Sequence, residues 1–215
     1  MKKYSVFSLI KNAFSKHQDW DVAWRDPEPK KEYDAIIIGG GGHGLATAYY
    51  LAKEYEIKNI AVVEKGWIGG GNIGRNTTIL RSNYMHDANN LFYDHGMQMW
   101  KGLSQELNYN VMYSPRGILN LAHSDAQLNA YSRRGNSMRL NGIEASLLGR
   151  EEVRRIIPFA DFTNNARFPI FGGLMQSIGG TARHDAVAWG YARAADDLGV
   201  DIIQHCEVTG FDIVN

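Results

Sequence analysis

Three glycines and one carboxylate carry the clearest chemical signal in the sequence. Gly39, Gly41 and Gly44 form the pattern G-x-G-x-x-G, and Glu64 follows 25 residues after the first glycine. In a dinucleotide-binding turn, the first glycine allows a tight bend, the second lets a pyrophosphate approach the backbone, and the third lets helix and strand pack closely. A carboxylate at this distance can accept hydrogen bonds from ribose hydroxyls. These residues therefore predict a dinucleotide site; a purely structural glycine turn is the alternative.

The segments that would position these residues have the patterns that such a site needs. Ala35–Ile38 is a short β-branched run, which predicts a fully buried strand, and apolar residues at helical spacing follow the glycines. A second apolar run, Ile60–Val63, ends at Glu64. A helix that begins at the glycines would offer unpaired N–H groups and a partial positive charge to phosphate. The fold class expected here is α/β, with a Rossmann-like strand–helix–strand unit.

A glycine-rich segment follows Glu64 and is longer than a simple connector needs to be. Loops at the carboxyl ends of strands in an open α/β sheet are where ligands bind. A solvated turn is the alternative. The side chains of this segment that could donate to phosphate or ring oxygens are Asn72, Arg75, Asn76, Thr77 and Arg81.

His184 lies at the predicted start of a helix near the end of the chain. The positive end of a helix disfavours the imidazolium form, and a neutral imidazole can act as a base or as a nucleophile. A cap or surface histidine is the alternative, which the residues alone favour.

Composition limits the classes of function. The 215-residue chain has 23 basic and 23 acidic side chains, a balance that gives no support for binding to nucleic acid or to an anionic membrane. The single cysteine, Cys206, excludes an intrachain disulfide and favours a reducing compartment. Polar residues interrupt the apolar positions near the N-terminus, so we predict no signal peptide, no membrane span and a cytoplasmic protein. No metal site is predicted.

Four segments are predicted along the chain. Residues 1–32 form an arm with a short amphipathic helix and a Pro-rich linker; it is either a floppy tail or docks on a partner or on another part of the fold. Residues 33–88 begin the nucleotide-binding domain, 89–175 form an inserted, incomplete antiparallel substrate region, and 176–215 return to the first domain. Further helices are predicted over 89–108, 125–140 (with a capping box of Ser124 and Gln127), 149–157 and 185–198, and further strands over 111–113, 118–122, 201–205 and 208–214.

Five stretches of the sequence resemble one family. They are DAIIIGGGGHGLATAYYLAKEY, VVEKGWIGGGNIGRNTTILRSNY, NYNVMYSPRGILNL, RLNGIE and GGTARHDAVAWGYARAADDLGVDIIQ. They are similar to the beta subunits of heterotetrameric sarcosine oxidases, within the glycine oxidase and D-amino-acid oxidase superfamily of FAD-dependent oxidoreductases. The similarity runs from the arm to the last residue, and these motifs are more specific than a glycine fingerprint alone.

The resemblance implies two flavins. FAD would bind non-covalently, and FMN would be held covalently by the histidine of ARHDAVAW, which is His184, with Arg183 beside the FMN phosphate or ring. Cys206 does not match the cysteine that tethers FAD in monomeric relatives, so no cysteinyl flavin is expected. The residues that the resemblance assigns to FAD are Gly39, Gly41, Gly42, His43 and Gly44 at the pyrophosphate, Glu64 at the ribose, Lys65, Asn72, Arg75, Asn76, Thr77 and Arg81 along the cofactor, and Val208 at the adenine side through its backbone.

The resemblance also implies an activity. Sarcosine would be demethylated oxidatively to glycine, with hydride transfer to FAD, electron transfer to FMN and reduction of oxygen to hydrogen peroxide. The methyl carbon would leave as formaldehyde or as methylenetetrahydrofolate. The implied partners are alpha, gamma and delta subunits, with folate and NAD on the alpha subunit.

The family's subunits are longer than this chain, so the amine site is expected to lie largely outside it, and no catalytic residue is assigned. Two alternatives stay open. One is a dimethylglycine or D-amino-acid dehydrogenase-like FAD oxidoreductase, and the other is an inactive flavin-binding fragment.

Overall fold

A computed structural model describes residues 5–18, 20, 22–163 and 165–213. These residues form two compact units. The first unit comprises Met1–Thr77, Leu103–Met112 and Arg183–Asn215, and the second comprises Thr78–Gly102 and Tyr113–Ala182. The chain leaves the second unit after Gly102, within a long helix, and returns to it at Tyr113. The predicted division at residues 88 and 175 stays a prediction of domain organisation.

The helices and strands alternate along most of the chain. The helices are α1 Val6–Phe14, α2 Gly42–Glu54, α3 Asp87–Glu106, α4 Asp125–Leu140, α5 Arg150–Ile156 and α6 His184–Asp197. The strands are β1 Ala35–Ile38, β2 Ile60–Val63, β3 Ile79–Leu80, β4 Ile118–Ala122, β5 Ser146–Gly149, β6 Gly172–Gln176, β7 Gly180–Thr181 and β8 Asp201–Ile203. None of the described helices is both long enough and apolar enough to cross a membrane.

The first unit is built on a parallel sheet in the order β1-β2-β8. Ala61 of β2 pairs with Ile36 on one side and with Asp201 on the other, and all four residues of β2 are buried. Helices α2 and α6 pack against each other, with the rings of Tyr49 and Tyr191 meeting edge to face at 5.7 Å between centroids. Parallel strands joined through a helix confirm the predicted α/β class and its Rossmann-like unit.

The prediction of a fully buried strand is wrong for β1. Its side chains alternate between half-buried and exposed, and Ile36 and Ile38 are each more than half exposed. Among the described residues β1 has only one neighbouring strand, so one face and one edge of it meet water. A continuous apolar run therefore specified the strand correctly but not its burial.

The second unit contains antiparallel sheets, as expected for the inserted region. One has the order β4-β6-β5, and the other pairs β3 with β7. Helix α4 covers the larger sheet through Met138, which packs with Ile143 and Leu174. A second cluster holds Val153 of α5 against Phe162. These two clusters give the unit an apolar core of its own.

Local sequence signals predicted the helices more accurately than they predicted the strands around residues 111–113 and 208–214. Ser124 caps α4 by accepting a hydrogen bond from the Gln127 N–H at 3.2 Å, as predicted, but the Gln127 side chain accepts from the His123 N–H, so the predicted box is wrong. The strand predicted over 111–113 is also wrong, because Met112 has φ of +53° and interrupts the extended backbone. Residues 208–213 are not a strand either, and residue 214 lies outside the described residues.

The base of the arm is fixed to the first unit by an ionic cluster around Asp201. Arg25 Nε lies 2.7 Å from Asp196 Oδ1, and Lys30 Nζ lies 2.7 Å from Asp201 Oδ2. The Tyr33 hydroxyl donates to the same Asp201 oxygen at 3.2 Å. Asp201 is only 2% exposed, so this carboxylate depends on these partners for its solvation. A floppy tail is therefore excluded for the linker part of the arm.

Replacing Asp201 with Ala is expected to lower the free energy of unfolding by about 2 kcal/mol, because Lys30, Tyr33 and Arg25, whose Nη2 lies 3.6 Å from Asp201 Oδ1, lose a buried acceptor. The matched control is Glu54→Ala, since Glu54 pairs with Lys53 at 3.0 Å on the surface and its removal should cost roughly 0.5 kcal/mol or less. Urea denaturation of both variants measures the difference. Equal effects would show that the cluster around Asp201 does not hold the arm.

Candidate functional site

The glycine turn between β1 and α2 has the geometry of a closely packed strand-to-helix connection. Gly39 has φ of +106°, a conformation that favours glycine, and its N–H donates to the Val63 carbonyl at 2.8 Å. A Cβ atom on Gly44 would collide with the Gly39 carbonyl oxygen. A Cβ atom on Gly41 would meet nothing within 4 Å. Two of the three glycines are therefore required by the turn itself, and the third faces open space.

Gly41 is also the N-cap of α2 and offers no side chain to its backbone N–H groups. The first N–H groups of a helix have no intrahelical partners, and the first turn of α2 contains no acidic residue. The combined dipoles leave a partial positive charge at this end. An anion such as a pyrophosphate fits this open, donor-rich helix end.

Glu64 follows β2 and is held beside the glycine turn by two backbone donors. Its Oε2 accepts from the Gly40 N–H and its Oε1 from the Gly66 N–H, both at 2.8 Å. These bonds fix the carboxylate between the turn and the glycine-rich loop. Each oxygen keeps a further lone pair, so Glu64 can still accept a hydrogen bond from a ribose hydroxyl.

The glycine-rich loop has a defined structure that is held by hydrogen bonds and packing. The Ile68 N–H donates to the Gln204 side-chain oxygen at 2.9 Å, and a short 3₁₀ helix spans Asn72–Arg75. Ile73 lies against the start of α2, because its Cδ1 would be 2.7 Å from a Cβ on Gly42. The loop thus lies next to the glycine turn. Its predicted ligand donors, which are all exposed, are Lys65, Asn72, Arg75, Asn76 and Thr77.

His184 is the first residue of α6, and its side chain is half-buried. Its Nδ1 atom is buried and has no hydrogen-bond partner among the described residues. The preceding Arg183 is exposed and donates to Asp185 at 2.8 Å, which holds the pKa of that carboxyl below its usual range. An imidazole nitrogen that is buried without a partner is uncommon, because burial normally costs free energy unless a bond replaces water.

A cavity of about 650 Å³ opens beside the start of α6 within the first unit. His184 itself is not among the residues that line it. Its size is in the range of small-molecule and cofactor sites. The lining residues are Ser104, Gln105, Asn108, Tyr109, Asn110, Met112, Arg183, Ala186 and Trp189.

Arg81 belongs to the second unit, where it lines a smaller pocket of about 390 Å³. Its guanidinium donates to the Asn83 oxygen at 2.6 Å and lies over the Tyr84 ring at 4.7 Å, so its position is well defined. Asn83 in turn donates to Asn120 at 2.6 Å. The other lining residues are Ile79, Met85, Ile118 and Arg134, so the described lining has two guanidinium groups and no carboxylate.

The structure brings most of the predicted FAD residues together in the first unit. Gly39, Gly41, Gly42, His43 and Gly44 form the turn and the start of α2, and Glu64 is bound to that turn. Val208 belongs to the same unit but lies on an exposed irregular segment. Their contacts with a cofactor stay predictions. The sequence reasoning missed the pocket around Arg81, although a polar run after a short strand was a visible signal.

Comparison with known proteins identifies the family. Residues 34–215 match the model of the DAO family of FAD dependent oxidoreductases. The chain belongs to this family, and its glycine turn and anchored glutamate fit FAD.

Individual proteins of known name are similar to the chain in sequence or in structure. The chain is 63% identical over 208 residues to the sarcosine oxidase subunit beta of Rhizobium meliloti (strain 1021), a match that covers 97% of this chain and 50% of that protein. It is 29% identical to the glycine oxidase of Bacillus subtilis (strain 168), covering 83% of this chain and 47% of that protein. The crystal structure of L-proline dehydrogenase from P. horikoshii superposes with a TM-score of 0.78 at 25% identity, covering 87% of this chain and 48% of that structure. The chain thus spans about half the length of these relatives.

Two glycine variants separate packing from ligand binding. Gly44→Ala should lower the free energy of unfolding by about 3 kcal/mol, because its Cβ has no room beside the Gly39 carbonyl. Gly41→Ala should change it by about 1 kcal/mol or less, since the new methyl group points into open space, yet FAD affinity should fall at least roughly tenfold. Urea denaturation and the ratio of bound FAD to protein measure the two effects. A Gly41→Ala protein with full FAD content would contradict a pyrophosphate site at this turn.

Proposed function

We propose that the chain is the FAD-binding part of the beta subunit of a heterotetrameric sarcosine oxidase. The observation that carries the proposal is the 63% identity to such a subunit across 97% of the chain. The reaction would be oxidative demethylation of sarcosine to glycine, with formaldehyde or methylenetetrahydrofolate and hydrogen peroxide as the other products. When bound, FAD supplies the hydride acceptor, and FMN supplies the route by which electrons reach oxygen.

The first unit offers what non-covalent FAD requires. The open helix end at Gly41 binds the pyrophosphate, and Glu64, held by Gly40 and Gly66, accepts from the ribose. Asn72, Arg75, Asn76 and Thr77 lie on the ordered loop that packs beside this turn and present side-chain donors to the cofactor. These residues bind and orient FAD and take no part in bond breaking.

His184 is the proposed attachment point of FMN. Its support is the buried Nδ1 that has no partner among the described residues, because such an atom has an unused bonding capacity. Arg183 lines the neighbouring cavity and carries a positive charge suited to the phosphate of FMN. Arg183 and Ala186, which line the cavity, lie within two residues of His184, and its volume of about 650 Å³ is large enough for a mononucleotide.

The pocket of the second unit is suited to the amine substrate. Sarcosine carries a carboxylate, and guanidinium groups bind carboxylates through paired hydrogen bonds. Arg81 is oriented by Asn83 and Tyr84, and Arg134 adds a second positive charge to the lining. This role for Arg81 differs from the FAD contact predicted for it, and the Arg81→Lys variant separates the two.

A second candidate function has a specific observation in its favour. The fold is similar to that of an L-proline dehydrogenase, at 25% identity, and proline, like sarcosine, is a secondary amine. A dehydrogenase of this kind would bind FAD without a covalent FMN. One flavin per chain, with no adduct, would favour it.

The remaining parts of the proposal concern the assembly. The partners would be alpha, gamma and delta subunits, with folate and NAD bound on the alpha subunit, and the complex would be cytoplasmic. Their support is that the matched relative is named as a subunit. The single cysteine of the chain is consistent with a reducing compartment.

Mass spectrometry of the denatured chain, purified from the intact complex, tests the attachment. A flavin mononucleotide adduct is expected on the peptide that contains His184, and His184→Ala should remove it while FAD remains bound. His205→Ala is the matched control, because His205 belongs to the same unit but is exposed. An adduct that survives His184→Ala would place the attachment elsewhere.

Arg81→Lys tests the substrate pocket in the intact complex. A lysine keeps the charge but cannot form the paired hydrogen bonds, so KM for sarcosine should rise at least roughly tenfold while FAD content is unchanged. Arg116→Lys, at an exposed arginine of the same unit, is the control. Loss of FAD with an unchanged KM would assign Arg81 to the cofactor.

A further inference from the structure

The N-terminal part of the arm forms the helix α1, and several apolar side chains of this helix are exposed to water. Phe7 and Phe14 of α1 are 83% and 88% exposed, and Val6 and Leu9 are more than half exposed. The helix is nevertheless capped, because the Ser5 hydroxyl accepts from the Ser8 N–H at 3.2 Å. An isolated helix of nine residues is marginal in water, and an apolar face on it gains stability only when it is covered.

The position of α1 in the chain makes it available to a partner. The ion pairs of Arg25 and Lys30 hold the arm to the first unit, about ten residues after the helix ends. The arm is therefore anchored at its base, while the apolar side chains of α1 stay exposed. An anchored helix loses less freedom on docking than a free peptide, so less of the binding free energy is lost to ordering.

The charge of the arm indicates what kind of surface could bind α1. The first 18 residues contain four lysines, at positions 2, 3, 11 and 16, and no aspartate or glutamate. The rest of the chain must then carry a net negative charge, because the whole chain is formally neutral. A complementary surface is an apolar groove with acidic residues at its rim.

Comparison with similar proteins indicates which kind of protein could carry such a groove for α1. The family match begins at residue 34, so the arm lies outside the oxidoreductase domain that the family shares. The match to the sarcosine oxidase subunit beta covers 97% of the chain, which includes most of the arm, whereas the match to a glycine oxidase covers 83%. The arm is thus shared with a relative that is named as a subunit of a larger enzyme.

We infer that α1 is a docking helix that inserts Phe7 and Phe14 into an apolar, acid-rimmed groove on a non-identical subunit of the same complex. This inference rests on the proposed function, since it takes the partner to be another chain of the oxidase. The recognition is that of an amphipathic helix in a groove, with anchors seven residues apart on one face.

The test uses the full-length protein, purified as a complex with its other subunits. Phe7→Glu combined with Phe14→Glu should raise the Kd for those subunits on the order of a hundredfold, because two large apolar anchors are lost. Phe159→Glu is the matched control, since Phe159 is 87% exposed and lies in the second unit. A Kd that changes by about twofold or less in the arm variant would overturn the inference.

Two further measurements test whether α1 binds a membrane or a second copy of the chain instead. Sedimentation with phosphatidylcholine vesicles containing phosphatidylserine would reveal a membrane, and analytical ultracentrifugation of the isolated chain would reveal a second copy. Binding of the wild-type chain in either experiment that the arm variant loses would overturn the inference. FAD content and sarcosine-dependent bleaching are measured on the same samples. Their absence in the wild-type complex would contradict the proposed function, whereas a change in Kd alone reports on the arm.

Discussion

The close approach of α2 to β1 is the constraint on which the candidate cofactor site depends. There is no room for a side chain between Gly44 and the Gly39 carbonyl, so the helix starts directly at the end of the strand. This places the open N-terminus of α2 beside the end of β2, where Glu64 is bound by the Gly40 N–H at 2.8 Å. Backbone N–H donors and a carboxylate acceptor, the groups that a dinucleotide site needs, are thereby held next to each other.

The glycine-rich loop extends this arrangement through contacts distant in sequence. Ile68 is bound to Gln204, 136 residues away, and Ile73 packs against the first turn of α2. The loop is therefore held by the same sheet that carries the turn. Its exposed donors gain a defined position from this packing.

Much of the fold could be predicted because its signals are local. The β-branched runs of β1 and β2, the glycine fingerprint and the Ser124 cap each act within a few residues. The burial of β1 was predicted wrongly because it depends on which distant parts of the chain cover the strand. The strand expected around Met112 does not form, because Met112 has a positive φ and its N–H donates to the Asn110 side chain at 2.9 Å. The glycine turn could be predicted from the spacing of its residues. The pocket of Arg81 could not, because its lining comes from three separate segments of the chain. The residues alone favoured a cap or surface role for His184, because its buried Nδ1, which has no hydrogen-bond partner among the described residues, is visible only in three dimensions.

The ionic cluster at the base of the arm has a consequence for biosynthesis. Arg25 meets Asp196, 171 residues later, and Tyr33 meets Asp201, 168 residues later. During translation these contacts cannot form until almost the whole of this stretch has left the ribosome. The segment that carries Phe7 and Phe14 is synthesised long before Asp196 and Asp201, so a nascent chain exposes these apolar side chains before the arm can be anchored. Protection by a chaperone, or early capture by an already folded partner, would be most valuable in that interval.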